Sequence, residues 1–222
     1  MQETTPERSL VTPDEREELV RLGQEISYPA GAILAQELEY SDFVLYVSEG
    51  FVKAVAARSN RTLAIHGPGS IVGELSALTG EPRSAELVTM TEVRTLYIPG
   101  RIWNQFMDEH PRSMKAHLVD LARRHRRKDL TDASVMRSER RLARKLIELA
   151  EMGLCRKKGD DLVLDRLTQQ DLGSLANISR ESVSATLKRL REQGAVTTSR
   201  GRITIHDMQA VRFLADREDR SG

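Results

Sequence analysis

The sequence predicts an α+β protein in which a roll of short β-strands is followed by a long helix, further helices and a β-hairpin. Between Ile26 and Pro99, short apolar runs alternate with turn residues at close intervals, which is typical of a small antiparallel roll or barrel. After Pro99 the strand pattern stops and helical periodicity replaces it. Residues 1–110 carry 9 Lys and Arg against 17 Asp and Glu, whereas residues 111–222 carry 25 against 16. This change in charge indicates that the second half alone meets a polyanion.

Three regions follow from these changes along the chain. We predict a β-roll over residues 1–110, a long helix over residues 111–137 and a helical domain with a hairpin over residues 138–222. The hydrophobic content of 39% is enough for packed cores in a chain of 222 residues. No run approaches the roughly 20 apolar residues of a membrane span, and the first residues are polar. We therefore expect a cytoplasmic protein that does not contact a membrane.

Residue types that carry catalysis or bind metals are sparse. The single Cys155 excludes an internal disulfide; its basic neighbours Arg156–Lys158 would lower its thiol pKa, although a lone cysteine is more often inert. The five histidines show no metal-ligand spacing, and we find no catalytic triad or activated nucleophile. We expect neither an enzyme nor a metal site.

Within the first region, each element is marked by residues that favour it. Thr12, Pro13 and the acids after them predict the start of a short helix with Leu19 and Leu22 on one face. We expect strands such as Phe43–Val47 to follow. The turns between them are predicted at Pro29-Ala30-Gly31, Glu49-Gly50, Ser59-Asn60 and Gly67-Pro68-Gly69.

The long polar segment that opens at His110-Pro111 is predicted to be helical as far as Ser138. Its Met114, Leu118 and Leu121 follow the 4-3 spacing of a helix that pairs with a second copy. The same register continues through charged positions, which are His125, Lys128 and Asp132. Our hypothesis is that this charged stretch is a switch that closes only when a ligand is bound; the alternative is that the two helices splay here and water covers the charges.

A further helix, residues 139–152, precedes the last domain. It places three leucines on one face, at Leu142, Leu146 and Leu149. Gly153 is predicted to end it, and we expect a turn over residues 157–161.

Two short helices joined by a tight turn are predicted next, over residues 169–176 and 180–193. Thr168 and Ser179 are placed to cap them, and Asn177 stands where the turn requires a left-handed residue. Gly194 follows as a stop, and Val196–Ile205 reads as a hairpin. The residues expected to face inward are Leu172, Leu175, Ala176, Val183, Leu187 and Leu190. This arrangement is a helix-turn-helix with a wing.

Such a unit presents the first residues of its second helix to the major groove of DNA. Arg180 suits a bidentate contact with guanine, and the Glu181 carboxylate suits the amino group of cytosine. Lys188 and Arg189 are better placed for phosphates. The full set of expected DNA contacts is Thr168, Gln169, Gln170, Ser179, Arg180, Glu181, Ser182, Ser184, Lys188, Arg200 and Arg202.

A second group of residues suits a cyclic phosphodiester. Gly73 allows close approach of backbone, the Glu74 carboxylate accepts hydrogen bonds from a ribose hydroxyl, and Leu75 begins a short helical turn. Arg83 carries a planar fork for the phosphate, and the Ser84 hydroxyl adds a donor. A surface ion pair between Glu74 and Arg83 is the plainer alternative.

With these motifs on the page, the chain resembles the Crp/Fnr family of cyclic-AMP receptor proteins and their relatives. The matching segments are GELSALTGEPRSA (Gly73–Ala85), LARR (Leu121–Arg124) and LTQQDLGSLANISRESVSATLKRLREQG (Leu167–Gly194). The resemblance implies a cyclic-nucleotide-binding jelly roll, a dimerisation helix and a winged helix-turn-helix. It also implies a homodimer on a palindromic operator, contact with RNA polymerase, and cyclic AMP as the expected effector. Arg124 is implied to assist Gly73, Glu74, Arg83 and Ser84 at the nucleotide.

Three positions depart from the family pattern. Lys128 and Asp129 stand where the receptors bind adenine with a Thr-Ser pair, which puts the base specificity in question. Ala185 replaces an arginine of the recognition helix, so the operator should differ. Leu38 stands at a turn where the family has glycine. Two alternatives stay open: a regulator whose degenerate pocket is constitutive or senses another ligand, and a nucleotide-binding module that regulates a partner protein.

Overall fold

The computed structural model of the chain describes residues 10–133 and 138–216, and for residue 125 and residues 127–133 it describes the backbone alone. The chain divides into two compact units, residues 1–60 with 64–129 and residues 61–63 with 130–222. The predicted α+β class, with an N-terminal sheet domain and a C-terminal helix-turn-helix, is confirmed. The predicted region boundaries at residues 110 and 137 stay predictions.

The first part of the chain is a roll of antiparallel strands flanked by helices. Its elements are α1 (Pro13–Leu22), β1 (Gln24–Tyr28), β2 (Ile33–Ala35), β3 (Phe43–Glu49), β4 (Val52–Ala56), β5 (Arg61–His66), β6 (Ile71–Val72), α2 (Glu74–Thr79), β7 (Glu86–Thr89), β8 (Val93–Pro99), α3 (Gly100–Glu109) and α4 (Pro111–Ala133). One sheet has the order β1-β8-β3-β6 and the other β2-β7-β4-β5.

The strand β3 lies at the centre of the roll and is buried on both faces. Because side chains alternate along a strand, Val44 and Tyr46 pack towards α3 while Leu45 and Val47 pack between the sheets. The predicted turns each contain a left-handed residue, at Gly31, Gly50, Asn60 and Gly69. The turn chemistry read from the sequence therefore sets the strand ends.

Helices α1 and α3 close one face of this roll. Thr12 caps α1 in a capping box with Glu15, as its residue type predicts. Leu19 is fully buried, whereas Leu22 at the end of the helix is 43% exposed. We did not predict α3, although its Trp103, Phe106 and Met107 have helical spacing and are buried.

Leu38 adopts a left-handed conformation with φ of 67°. Its N–H donates to the carbonyl of Arg83 at 2.8 Å, which ties this turn to the cassette that starts at Gly73. The conformation explains why glycine suits the position, since a side chain there carries a strain of about 1 kcal/mol. The leucine side chain is exposed and does not crowd the core.

The second unit combines four helices with one small sheet. Its elements are α5 (Ser138–Glu151), β9 (Arg156–Lys158), β10 (Asp161–Asp165), α6 (Gln169–Ala176), α7 (Arg180–Glu192), β11 (Val196–Ser199), β12 (Arg202–Ile205) and α8 (Met208–Asp216), and the sheet order is β11-β12-β10-β9. The three predicted leucines of α5 are buried, as are Leu172, Ala176, Val183, Leu187 and Leu190. Leu175 is only half-buried.

Two features of this unit differ from the prediction. The expected turn over residues 157–161 is a hairpin whose first strand, β9, contains Lys157 and Lys158. The helix α8 was not predicted, although Val211, Leu214 and Ala215 repeat at helical spacing and are buried. Asp207 accepts hydrogen bonds from the N–H groups of Gln209 and Ala210, which is a helix-start signal that the sequence carried.

Candidate functional site

The turn between β6 and α2 brings the predicted phosphodiester residues together. Gly73 has φ of 84° and caps α2 at its start. A Cβ atom at this position would lie 2.4 Å from a terminal nitrogen of Arg83 and 3.2 Å from the carbonyl oxygen of Phe43. The turn therefore requires glycine for its conformation and for the close approach of Arg83.

Arg83 is buried, at 2% exposure, and its guanidinium donates hydrogen bonds to other groups of the protein. Its Nε donates to the Ser41 hydroxyl at 2.8 Å, and its terminal nitrogens donate to the carbonyls of Gly73 at 2.7 Å and Phe43 at 2.8 Å. The guanidinium also lies 4.2 Å from the centroid of the Phe43 ring. These contacts use three of the five N–H groups of the guanidinium, so the predicted phosphate role of Arg83 requires that the two remaining groups become accessible or that protein acceptors be exchanged. Ser84 beside it is exposed.

Glu74 lies at the inner end of the same turn with 5% exposure. Its Oε1 is 3.5 Å from a terminal nitrogen of Arg124, which reaches it from α4. Burial raises the pKa of Glu74, and the positive charge of Arg124 opposes this rise. The structure therefore joins Glu74 and Arg124, two residues that the resemblance implied would act together.

The other predicted pocket residues are Leu75, Lys128 and Asp129. The Leu75 side chain is 45% exposed. Lys128 and Asp129 belong to α4, but their side chains lie outside the described part of the structure, as does the charged stretch of the proposed switch.

Two histidines and Asp120 complete the surroundings of Arg124, and the sequence reading missed them. Burial and, as a smaller contribution, the positive charge of Arg124 lower the pKa of His66 to about 4, so this imidazole is neutral at pH 7. His117 is 4% exposed and packs edge-on to Trp103, with ring centroids 6.0 Å apart. Among the described residues, neither of its ring nitrogens has a hydrogen-bond partner. Its position seven residues before Arg124, on the same helix face, was the available signal.

The helix-turn-helix has the local chemistry that its sequence predicts. The Thr168 hydroxyl accepts from the backbone of Asp171, Ser179 accepts from the backbone of Ser182, and Asn177 is left-handed with φ of 51°. Gly194 has φ of 70° and follows the last turn of α7. These caps fix the angle at which α7 leaves the turn.

The outward face of α7 is polar and exposed. On α7 itself, Arg180, Glu181, Ser184 and Lys188 are exposed, and Ser182 is half-buried. Of the other predicted DNA contacts, Gln169 is half-buried and the exposed ones are Thr168, Gln170, Ser179 and Arg200. A backbone hydrogen bond at the start of the helix lowers the pKa of Glu181, so its carboxylate acts as an acceptor.

Three of the predicted DNA cations, Lys188, Arg189 and Arg202, lie beside carboxylates; the Nζ of Lys188 is 3.9 Å from Oε1 of Glu192, and both side chains are exposed. Arg189 pairs with Glu139 of α5 at 2.7 Å, which ties α7 to α5 rather than leaving the guanidinium for phosphate. In the wing, Arg202 donates to Asp165, and this hydrogen bond lowers the pKa of that carboxyl. Arg156 lies 3.4 Å from the same carboxylate.

Of the two interpretations of Cys155, a lowered thiol pKa is contradicted, and the inert thiol agrees with the raised pKa. Burial raises the pKa of this thiol to about 11, from an ordinary value of 9.0. We expect Cys155 to react with a thiolate-specific disulfide reagent at pH 8 about a hundredfold more slowly in the native chain than in the denatured chain. Spectrophotometry of the reaction with and without guanidinium measures this ratio. Equal rates would show that the thiol is not shielded.

Within residues 10–133 and 138–216, no group of three or more His, Cys, Asp or Glu side chains is arranged to hold a metal ion. In the same residues, no helix combines the length and apolar character needed to cross a membrane.

Two family models match consecutive parts of the chain. A cyclic nucleotide-binding domain matches residues 25–110, and a Crp-like helix-turn-helix domain matches residues 140–214. The chain is 29% identical to the CRP-like cAMP-activated global transcriptional regulator of Mycobacterium tuberculosis over 207 residues, which cover 90% of this chain and 92% of that protein. It is 27% identical to the cyclic AMP receptor protein of Thermus thermophilus over 210 residues, which cover 92% and 94%.

Solved structures share the fold over almost their whole length. A CRP/FNR-family transcriptional regulator of Thermus thermophilus superposes with a TM-score of 0.71 at 23% identity, covering 87% of this chain and 99% of the other. The c-di-GMP responsive global regulator CLP of Xanthomonas campestris gives 0.69 at 20% identity, with coverages of 87% and 99%. With a cyclic nucleotide-binding domain followed by a DNA-binding helix-turn-helix, the chain belongs to the Crp/Fnr family of transcription regulators.

Proposed function

We propose that this regulator works as a homodimer on a palindromic operator and is controlled by a cyclic nucleotide, cyclic AMP first of all, bound in the N-terminal roll. The observation that carries the proposal is the buried carboxylate of Glu74 beside Gly73, with Arg124 of α4 as its charged partner at 3.5 Å. A buried carboxylate is costly to keep, and this one is placed to accept hydrogen bonds from ribose. The relatives named for their response to cyclic AMP support the choice of nucleotide.

The same contact supplies a route from the pocket to the dimer. Arg124 stands on α4, so a ligand that changes the partners of Glu74 and Arg124 acts directly on that helix. Met114, Leu118 and Val119 of α4 are large apolar side chains with exposures of 43%, 64% and 38%. An apolar stripe of this kind supports pairing with the α4 of a second copy. Ligand binding then shifts the population of dimers towards the arrangement that fits the operator.

Two-fold symmetry determines the form of the DNA site. A helix-turn-helix dimer reads half-sites about one helical turn apart, roughly 34–36 Å. RNA polymerase is the partner through which such a bound dimer would act on transcription. These partners rest on family membership and on the exposed polar face of α7.

One observation favours a second candidate, a regulator whose pocket does not take a cyclic nucleotide. Arg83 is buried and already donates to Ser41, Gly73 and Phe43, so a phosphate must either reach its two remaining N–H groups or displace a protein acceptor. The pocket of the second candidate is closed by its own arginine, and the regulator is constitutive or senses another ligand.

Calorimetric titration separates the two candidates. We expect the full-length protein to bind cyclic AMP, and the Arg83→Ala and Arg83→Lys variants to bind it about 100-fold more weakly, because a bidentate charge-assisted contact is lost. The titrations include cyclic GMP and cyclic di-GMP, since one structural relative responds to the latter. Arg101→Ala, which removes an exposed arginine of α3, is the control.

The position of Arg83 also makes it a structural residue, so the fold of each variant is checked by the fluorescence of Trp103. If none of the three nucleotides gives a heat of binding, the first candidate is excluded and the second remains. Equal affinities of wild type, Arg83→Ala and Arg83→Lys would show that Arg83 does not contact the phosphate.

A further inference from the structure

Arg124 is shared between two carboxylates. Its Nε lies 2.8 Å from Oδ2 of Asp120, one turn earlier on α4, while a terminal nitrogen lies 3.5 Å from Oε1 of Glu74. Asp120 and Arg124 have side-chain exposures of 33% and 30%, whereas Glu74 is buried. The shorter contact is thus with Asp120, and it is an ion pair along α4 in which the Nε makes no hydrogen bond within the described residues.

Asp120 also acts electrostatically on the groups around the pocket. Its negative charge partly opposes the lowering of the pKa of His66 and His117 and adds to the rise in the pKa of Glu74, although burial has the largest effect on each of them. Its field therefore reaches the three groups around Arg124. Since Glu74 and Asp120 oppose Arg83 and Arg124, an arriving phosphodiester adds an uncompensated negative charge.

We infer that Asp120 sets the affinity of the pocket for its anionic effector, by competing for Arg124 and by repelling the phosphodiester. The inference rests on the proposed cyclic-nucleotide function and assigns a regulatory role to a residue outside the cassette. Asp120 is a positioning residue, because it acts through Arg124 and through its charge. Without it, Arg124 turns from α4 towards the ligand.

Removal of Asp120 should leave the fold intact, because a partly exposed i,i+4 ion pair contributes little to stability. We expect Asp120→Asn to bind cyclic AMP about three- to tenfold more tightly than wild type at low salt. The gain should shrink as salt is added, since screening weakens the interactions of partly exposed charges. Asp120→Glu retains the negative charge and should restore the wild-type affinity.

Asp108→Asn is the matched control. It removes the same charge from an exposed position of α3, and Asp108 does not contribute to the pKa shifts of His66 and His117. A gain in affinity equal to that of Asp120→Asn would reduce the effect to net charge and overturn the inference. Unchanged or weaker binding by Asp120→Asn would overturn it as well.

The outcomes also separate this inference from the proposed function. If wild type binds and Asp120→Asn binds equally well, the inference alone fails. If only Asp120→Asn binds, both stand, and Asp120 keeps the pocket empty at the concentrations tested. If neither binds any of the three nucleotides, both are overturned. An NMR pH titration gives a readout without ligand: Asp120→Asn should lower the pKa of His117, and no change would contradict the inference.

Discussion

Replacing Gly73 with alanine is expected to destabilise the N-terminal roll by about 2–4 kcal/mol. The residue has φ of 84°, where alanine costs about 1 kcal/mol relative to glycine. The new Cβ would also lie 2.4 Å from a terminal nitrogen of Arg83. Because Arg83 is buried and bonded at three points, it must lose its contact with the Gly73 carbonyl to make room, at about 1.5–3 kcal/mol.

Gly80 offers a matched control at the other end of α2. It also has a left-handed φ, of 72°, but a Cβ there would meet nothing within 4 Å. Gly80→Ala should therefore cost about 1 kcal/mol, and the difference between the two variants isolates the crowding of Arg83. Urea unfolding followed by the fluorescence of the single tryptophan, Trp103, measures both values. Equal free energies of unfolding for the two variants would show that Arg83 moves aside without a loss of stability.

The elements that the sequence predicts well are those set by local chemistry. Asn60 and Asn177 are left-handed where the turn residues require it, and Thr12, Thr168 and Ser179 cap their helices. A cap or a turn depends on residues within four positions, so the sequence alone contains the whole interaction. The helices α3 and α8 were within reach by the same reasoning, since their buried residues have regular spacing.

The state of the pocket could not be predicted in this way. Arg83 meets Ser41, Phe43 and Gly73, which are 42, 40 and 10 residues away in the chain. The raised pKa of Cys155 has the same origin, since it comes from burial. Arg189 likewise pairs with Glu139 across 50 residues. These contacts arise only when strands and helices pack, and periodicity does not specify which side chains meet.

Replacing Arg180 with alanine should weaken operator binding at least about 30-fold. Arg180 is exposed at the first position of α7, behind the Ser179 cap. A bidentate arginine contact with a base is worth about 1–3 kcal/mol, and a homodimer would lose two of them. The variant should lose affinity for the operator more than for unrelated DNA. It should therefore tolerate substitution of the base pair that Arg180 contacts, which occurs once in each half-site. Fluorescence anisotropy on a palindrome selected by the wild-type protein measures both effects.

Lys188 provides the contrast, because it is predicted to contact phosphate. Lys188→Ala should weaken binding to the selected palindrome and to unrelated duplexes by similar factors, and should reduce the salt slope by about one unit per subunit. Arg212→Ala removes a cation of α8 that pairs with Glu151 of α5, and it should change neither quantity. A loss in Arg180→Ala that is equal for all duplexes would place Arg180 on the DNA backbone. Base recognition would then have to come from other exposed residues of α7, such as Glu181 and Ser184.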